Sequence, residues 1–204
     1  MTQKENLLEK INEEVLALVD SPLYEERINN KTLPVIGEGN HGAEIMFIGE
    51  APGRNEAKTG RPFCGAAGKI LDELLSDQGI KREEVYITNI IKDRPPSNRD
   101  PLPEEIAIYG PFLDRQIDII QPKIVVPLGR YAMNYIMEKF GLNTSIKPIS
   151  EIHGKVFSAR TKYGSIKIIP LYHPAATIYN RSLKGTMKSD FKVLNKLSLS
   201  HNSK

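Results

Sequence analysis

The stretch MFIGEAPGRNEAKTGRPFCGAAG, residues 46–68, passes from an apolar strand into a loop with five glycines and two prolines, and ends where a helix starts. Glu50 stands at the tip of the strand, and Glu56 follows within the loop. An ordinary turn needs a glycine or two for its positive-φ positions. Five in this span point to backbone that must come close to a second body.

Outward from this stretch, short apolar runs alternate with helical patterns. AEIMFIG (43–49), EVYITNII (84–91) and KIVVPLG (123–129) read as buried strands. GKILDELLSDQG (68–79) and PEEIAIYGPFLDRQIDII (103–120) read as helices, with further helices near 130–140 and 186–199. A hairpin-like pair is expected around 155–158 and 166–171. At the start, Thr2-x-x-Glu5 is a capping box, and Leu7, Leu8, Ile11, Val15, Leu16 and Val19 follow at helical spacing. That predicts a first helix over 3–19, broken at Pro22 into an irregular segment reaching about residue 42. The alternation predicts an α/β fold with a parallel sheet between helices, in one domain over 1–204 that runs from an N-terminal helix (1–20) to a basic C-terminal helix and tail (186–204). KDRPPSNRDPLP (92–103) carries four prolines and three basic residues, which predicts a stiff exposed loop.

Composition bounds the function classes. The 204 residues are 40% hydrophobic and 26% charged, as in an ordinary globular protein. No apolar run approaches the roughly 18 residues of a membrane span, and the acidic amphipathic start lacks the basic opening of a signal peptide. A single cysteine excludes an internal disulfide and fits a cytoplasmic protein. Net charge is only +3, but it is unevenly spread. Residues 1–34 hold four basic and seven acidic side chains, whereas 181–204 hold six basic and one acidic. A basic end of that kind steers polyanions toward one face, although a solvated lysine-rich helix has the same composition.

Ligands of open α/β sheets bind beyond the carboxyl ends of the strands. Glu50, Asn89 and His173 all fall at such ends. The glycines fit neither the dinucleotide fingerprint nor the P-loop pattern, and Glu50 would repel phosphate. An asparagine amide, with an acceptor beside two donors, suits the edge of a nucleobase. Phe63 offers a face for stacking, or is simply a core aromatic. His41, His153, His173 and His201 have no metal-ligand spacing, and Cys64 has no Cys-x-x-Cys partner, so no metal is expected. Cys64 reads as a buried small hydrophobe rather than a nucleophile paired with His173.

Taken in order, GEAPGRNE, GRPFCGAAG, VYITNIIK, RPPSNRDPLP, PKIVVPLG and LYHPAA resemble the family 4 uracil-DNA glycosylases of bacteria and archaea, over roughly residues 15–195. The resemblance implies a central four-stranded parallel sheet flanked by helices, with a DNA groove across the strand ends. It also implies a substrate, uracil-containing DNA in single or double strands, and a monomeric enzyme that flips out uracil and hydrolyses its glycosidic bond.

By position, Ala51 and the loop backbone border the base, Phe63 stacks on it, Asn89 reads its O4 and N3–H edge, and His173 faces O2. Glu56 shapes the pocket wall. Related enzymes orient the attacking water with an aspartate that is replaced here by Ala51, which leaves Glu50 and Glu56 as candidates for that task. Arg61, Arg94, Asn98 and Arg99 are implied DNA contacts, with Ile178 or Tyr179 as the wedge that fills the gap left by the base. A DNA-binding relative without turnover is the alternative. A covalent uracil trap is disfavoured, because the proline-rich loop has no histidine.

The family usually carries an iron–sulfur cluster on four cysteines. Those positions here read Leu18, Ser21, Asp93 and Tyr109, so no cofactor is expected. Packing by Leu18 and Tyr109, and a pairing of Asp93 with Lys92 or Arg94, are the expected replacements.

Overall fold

Along β2 (Ile45–Gly49) the side chains alternate between two apolar layers. Met46 and Ile48 enter one buried cluster, while Ile45 and Phe47 enter the other, as the two-residue period of a strand requires. The computed structural model describes residues 2–201. Its helices are α1 (Gln3–Leu16), α2 (Tyr24–Asn29), α3 (Arg54–Thr59), α4 (Ala66–Ser76), α5 (Pro103–Ile120), α6 (Arg130–Lys139), α7 (Ile149–Ile152), α8 (Ala176–Tyr179) and α9 (Leu183–His201). With β2, the strands β1 (Glu38–Gly39), β3 (Tyr86–Asn89), β4 (Ile124–Pro127), β5 (Phe157–Thr161) and β6 (Gly164–Ile168) form one sheet of order β1-β3-β2-β4-β6-β5.

The central four strands are parallel, as expected, and β1 and β5 add antiparallel edges. The two-residue β1 lay in the segment read as irregular, too short for any periodicity to mark it. On one face α1, α5 and α6 bury Leu8, Ile11, Val15, Leu113, Ile117 and Ile136. On the other, α4 and α9 bury Leu71, Leu75, Met187 and Phe191, and the Phe191 ring stacks 6.0 Å from that of Phe47. The chain leaves β2 toward β3 on one side and later returns to β4 on the other, so β2 is the switch point of the sheet.

The first helix is shorter than its pattern. It stops at Leu16, and Leu7, Leu16 and Val19 are exposed rather than core. The cause lies in Arg27, whose buried guanidinium donates to the carbonyls of Val15 (2.9 Å) and Leu16 (2.7 Å) at the end of the helix. Those are the acceptors that a helix C-terminus leaves unpaired, and a cation there also suits the helix dipole. The reach of α9 back to Leu183 lengthens the expected C-terminal helix, and residues 202–204 of the expected tail lie outside the described residues.

Ser21, Asp93 and Tyr109 are brought together, though by polar contacts rather than by packing alone. Tyr109 donates its hydroxyl to Asp93 Oδ2 at 2.6 Å and lies 2.7 Å from Ser21 Oγ, while Arg27 reaches the same Asp93 oxygen at 3.2 Å. All four side chains are buried, and Leu18 packs half-buried nearby. Asp93 therefore pairs with Arg27, not with Lys92 or Arg94. Burial pushes its carboxyl pKa up, and the Tyr109 hydroxyl and Arg27 oppose that push. The segment expected to be an exposed loop from residue 92 starts in the interior, with Lys92 and Asp93 both inaccessible to solvent. Two charges could enter because each found partners, which a sequence window does not reveal.

Replacing Tyr109 by Phe leaves the volume but strips Asp93 and Ser21 of a shared partner. The variant is expected to lose about 1–3 kcal/mol of stability in urea denaturation. Stability equal to the parent's would mean that the polar cluster contributes nothing.

Candidate active site

Beyond the carboxyl ends of β2 and β3 lies a cavity of about 590 Å³. Its lining includes Glu50, Ala51, Glu56, Phe63, Asn89 and His173, brought together from four separate segments. Asn98, Arg99 and Tyr179 stand in its wall as well. Of the expected site residues, Arg61, Arg94 and Ile178 are not among those that line it.

The floor is set by a glycine. A Cβ on Gly49 would lie 2.3 Å from Asn89 Oδ1 and 2.8 Å from the Phe63 ring, so only hydrogen lets both side chains cross the strand end. The Asn89 side chain is buried, and its Oδ1 has no hydrogen-bond partner among the described residues. A buried, unsatisfied acceptor is costly unless a ligand completes it.

Phe63 is buried with φ of +47°, a left-handed conformation that a bulky residue adopts only under constraint. Three features impose it. Glu56, in the first turn of α3, accepts hydrogen bonds at one carboxylate oxygen from the amides of Cys64 (3.1 Å) and Gly65 (2.8 Å). Arg82 donates to the Pro62 carbonyl at 2.7 Å. Gly68 lets the Phe63 carbonyl come so close that a Cβ would collide at 1.7 Å. Glu56 therefore ties down the backbone of this stretch of the cavity wall. Cys64 is half-buried, 3.3 Å from Thr59 Oγ1, rather than the buried hydrophobe expected.

His173 sits with its ring centroid 5.5 Å from that of Phe63. Its Nδ1 accepts the amide N–H of Ala175 at 3.2 Å, which leaves the proton of the neutral ring on Nε2. Burial pushes the imidazole pKa down to about 4, against the pull of Glu56, so the ring is neutral at physiological pH. Glu50 behaves in the opposite sense. Burial first, and the Asp100 carboxylate second, push its pKa up to about 7, with Arg130 opposing. No side chain among the described residues donates a hydrogen bond to its carboxylate. Asp100 is itself held by Arg130 at 2.5 Å and by the Tyr131 hydroxyl at 2.9 Å, a neighbourhood that motif reading did not mark.

The basic residues divide. Arg61 is outside the cavity, in an ion pair with Glu38 at 2.7 Å that also draws in Arg82. Arg99 is in the wall, but its guanidinium is engaged twice by the buried Glu105, whose carboxylate also accepts the Leu102 amide and caps α5. Arg94 bonds to Asn98 Oδ1 at 2.7 Å across a turn in which Ser97 and Asn98 both have positive φ. Ile178 and Tyr179 are 51% and 90% exposed, and Tyr179 of the two lines the cavity. Arg54, Asn55 and Pro95 also line the cavity and were not singled out, although they sit inside the quoted motifs.

No group of three or more His, Cys, Asp or Glu among the described residues could hold a metal ion. No helix among them is long and apolar enough to cross a membrane.

The family model described as the uracil DNA glycosylase superfamily matches residues 36–196. The type-4 uracil-DNA glycosylase of Sulfurisphaera tokodaii is 48% identical over 94% of this chain and 85% of its own length. That of Archaeoglobus fulgidus is 48% identical over 82% of this chain and 83% of its own, and that of Thermotoga maritima 43% over 89% and 88%.

An alanine at position 49 must push aside the Asn89 amide, the Phe63 ring or both. Gly49→Ala is expected to cost about 1–3 kcal/mol, as other overpacked sites do, and to shift the Phe63 ring resonances. A variant with parental stability and unshifted Phe63 would remove Gly49 from the account of the floor.

Proposed function

The chain belongs to the uracil DNA glycosylase superfamily, and we propose that it removes uracil from DNA by hydrolysing the glycosidic bond of a flipped-out nucleotide. The observation that carries this reading is the buried Oδ1 of Asn89, unpartnered among the described residues, in one cavity with Phe63 and His173. Uracil presents an acceptor at O4 beside a donor at N3, and an asparagine amide answers both. Cytosine presents the reverse pair and would leave two buried groups unmatched. Phe63 stacks on the base, with Ala51 and the loop backbone at its edge.

As the glycosidic bond opens, negative charge gathers on the base and positive charge on the sugar. The Nε2–H of His173 meets the developing charge at O2 as a neutral donor already aimed, so no proton transfer is needed. One such preorganised donor is worth about 2.7–4 kcal/mol of transition-state stabilisation. Of the two candidate carboxylates, Glu56 has one oxygen occupied by backbone amides, whereas Glu50 has no side-chain donor among the described residues. Glu50 therefore orients water and faces the sugar cation, and Glu56 holds the pocket wall.

DNA approaches across the strand ends, with Arg94, Asn98 and Arg99 near its phosphates and Tyr179 or Ile178 in the space left by the base. Arg61, paired with Glu38, contacts DNA only if that pair opens. The protein acts as a cytoplasmic monomer. It carries no iron–sulfur cluster, since a leucine, two hydroxyls and a carboxylate already bonded to Arg27 are not a thiolate set.

The direct test is an oligonucleotide with one uracil, incubated with protein shown to hold no stoichiometric iron and then cleaved with alkali. Strand scission at uracil is expected, and its absence would leave the reading of a DNA-binding relative without turnover. In the same assay Asn89→Asp, which exchanges a donor for an acceptor, should slow uracil removal by about 100-fold or more while narrowing the preference over cytosine. Parental behaviour would exclude Asn89 as the reader.

The pH dependence follows from Glu50. Its raised pKa of about 7 means that the ionised form grows as pH rises through neutrality. Single-turnover rates should climb by roughly tenfold per unit below pH 7 and level off above it. His173, neutral above about pH 4, adds no inflection in that range. Glu50→Gln should be slow and flat from pH 6 to 8, and a variant that keeps the inflection would assign it elsewhere.

A further inference from the structure

Lys92 lies behind the pocket floor, completely buried, three residues beyond Asn89. Among the described residues no carboxylate bonds to it. Its Nζ instead donates to the Asn89 carbonyl at 2.6 Å, to Thr88 Oγ1 at 2.9 Å and to Gln116 Oε1 at 2.5 Å. Three acceptors for three N–H bonds is the geometry of an ammonium, because a neutral amine would turn a lone pair toward one of the oxygens. Burial alone pushes the pKa of this group well down, and the three oxygens are what the interior supplies against that push.

The site of the contact explains its use. The edge strand β1 pairs with Tyr86 and Ile87 of β3, so among the described residues β3 has no strand partner on that side at Thr88 and Asn89. On its other side, Asn89 lies opposite Gly49 of β2, and the chain beyond is held by Ile90 N–H to the Gly49 carbonyl and Ile91 N–H to the Glu50 carbonyl, each at 3.0 Å. Apart from Lys92, the Asn89 carbonyl meets only a long 3.5 Å contact from Thr88 Oγ1 among the described residues, and that hydroxyl is directed to the Ile36 carbonyl at 2.6 Å. Lys92 is thus the principal donor that a buried carbonyl requires. The other two acceptors are fixed in their turn. Thr88 Oγ1 and Gln116 Nε2 both donate to the Ile36 carbonyl, at 2.6 and 2.8 Å.

We propose that Lys92 is a positioning residue for base recognition: it fixes the main chain of Asn89 from behind the pocket and thereby the direction of the amide that meets the base. The inference rests on the reading of Asn89 as the uracil reader and adds a specificity-determining residue that does not touch substrate. A lysine kept only for stability would affect folding and would leave base affinity in the folded protein unchanged. A positioning lysine separates two affinities: one for the base, and one for DNA that lacks a base.

The test measures, for the parent and for Lys92→Met, the affinity for free uracil and the affinity for a duplex with a tetrahydrofuran abasic site. Methionine keeps the length and apolar stem but cannot donate. Uracil affinity is expected to fall by at least about tenfold, the worth of one well-placed hydrogen bond, while affinity for the abasic duplex stays within about twofold. Unchanged uracil affinity, or a parallel fall in both, overturns the proposal. If Lys92→Met does not fold, Thr88→Val removes one of the three acceptors and is read by the same pair of measurements, with a smaller fall in uracil affinity alone. The parent itself tests the underlying reading. A parent that binds uracil and excises it, beside a variant that matches it, sinks only the role of Lys92, whereas a parent that does neither sinks the function proposed for the site.

Discussion

The segment leaving β3 is buried without a break from Thr88 to Asp93, although it contains a lysine and an aspartate. A buried charge costs several kcal/mol unless it is surrounded by partners, so the structure around this segment is arranged to supply them. Lys92 turns toward α5 and takes Gln116. Asp93 turns toward the α1–α2 corner and takes Arg27, with Tyr109 of α5 between it and Ser21. Arg27 also closes the end of α1. One six-residue stretch thereby ties α5 and the α1–α2 corner to the strand whose last residue is Asn89. The position of Asn89 is over-determined by contacts that solvent does not reach.

The pocket wall depends on a comparable economy. Phe63 is held against its backbone preference by Glu56, Arg82 and the absence of side chains at Gly49 and Gly68. Strain of this kind persists only where surrounding contacts outweigh it. The five glycines between 49 and 68 thus do different work. Gly49 and Gly68 clear space for Phe63 and Asn89, while Gly60 turns the chain at the end of α3 with φ of +71°.

Much of this was legible in the sequence, for definable reasons. Strand periodicity and the rule that ligands gather at carboxyl ends were enough to bring Glu50, Asn89 and His173 into one place, because both depend on local pattern plus topology. The central parallel sheet followed from the same alternation. What escaped depends on long-range pairing. Arg27 is 66 positions from Asp93, and no window around either shows why one charge needs the other. Lys92 and Asp93 looked like loop residues because composition reports charge and not the partner that permits burial. Arg61 and Arg99 looked like free cations for the same reason, and each is met by a carboxylate, Glu38 or Glu105.

The titrations of Glu50 and His173 add a constraint that geometry alone does not express. Burial pushes the acid up and the base down, so each is moved toward its neutral form. For His173 this suits a cavity that admits an uncharged base, since a neutral imidazole demands little hydration. Glu50, by contrast, is poised near neutrality, where the ionised form proposed to orient water is within reach. On the function proposed for the site, the product of bond cleavage is an anion, and the cavity offers it oriented dipoles rather than a cation. One is the Nε2–H of His173. The amides that open α4 are another, as Ala66 and Ala67 line the cavity and no side chain caps that helix. Fixed dipoles in a dry site stabilise charge as it forms without binding charge beforehand. The same site therefore admits neutral uracil freely and favours it most as the glycosidic bond opens.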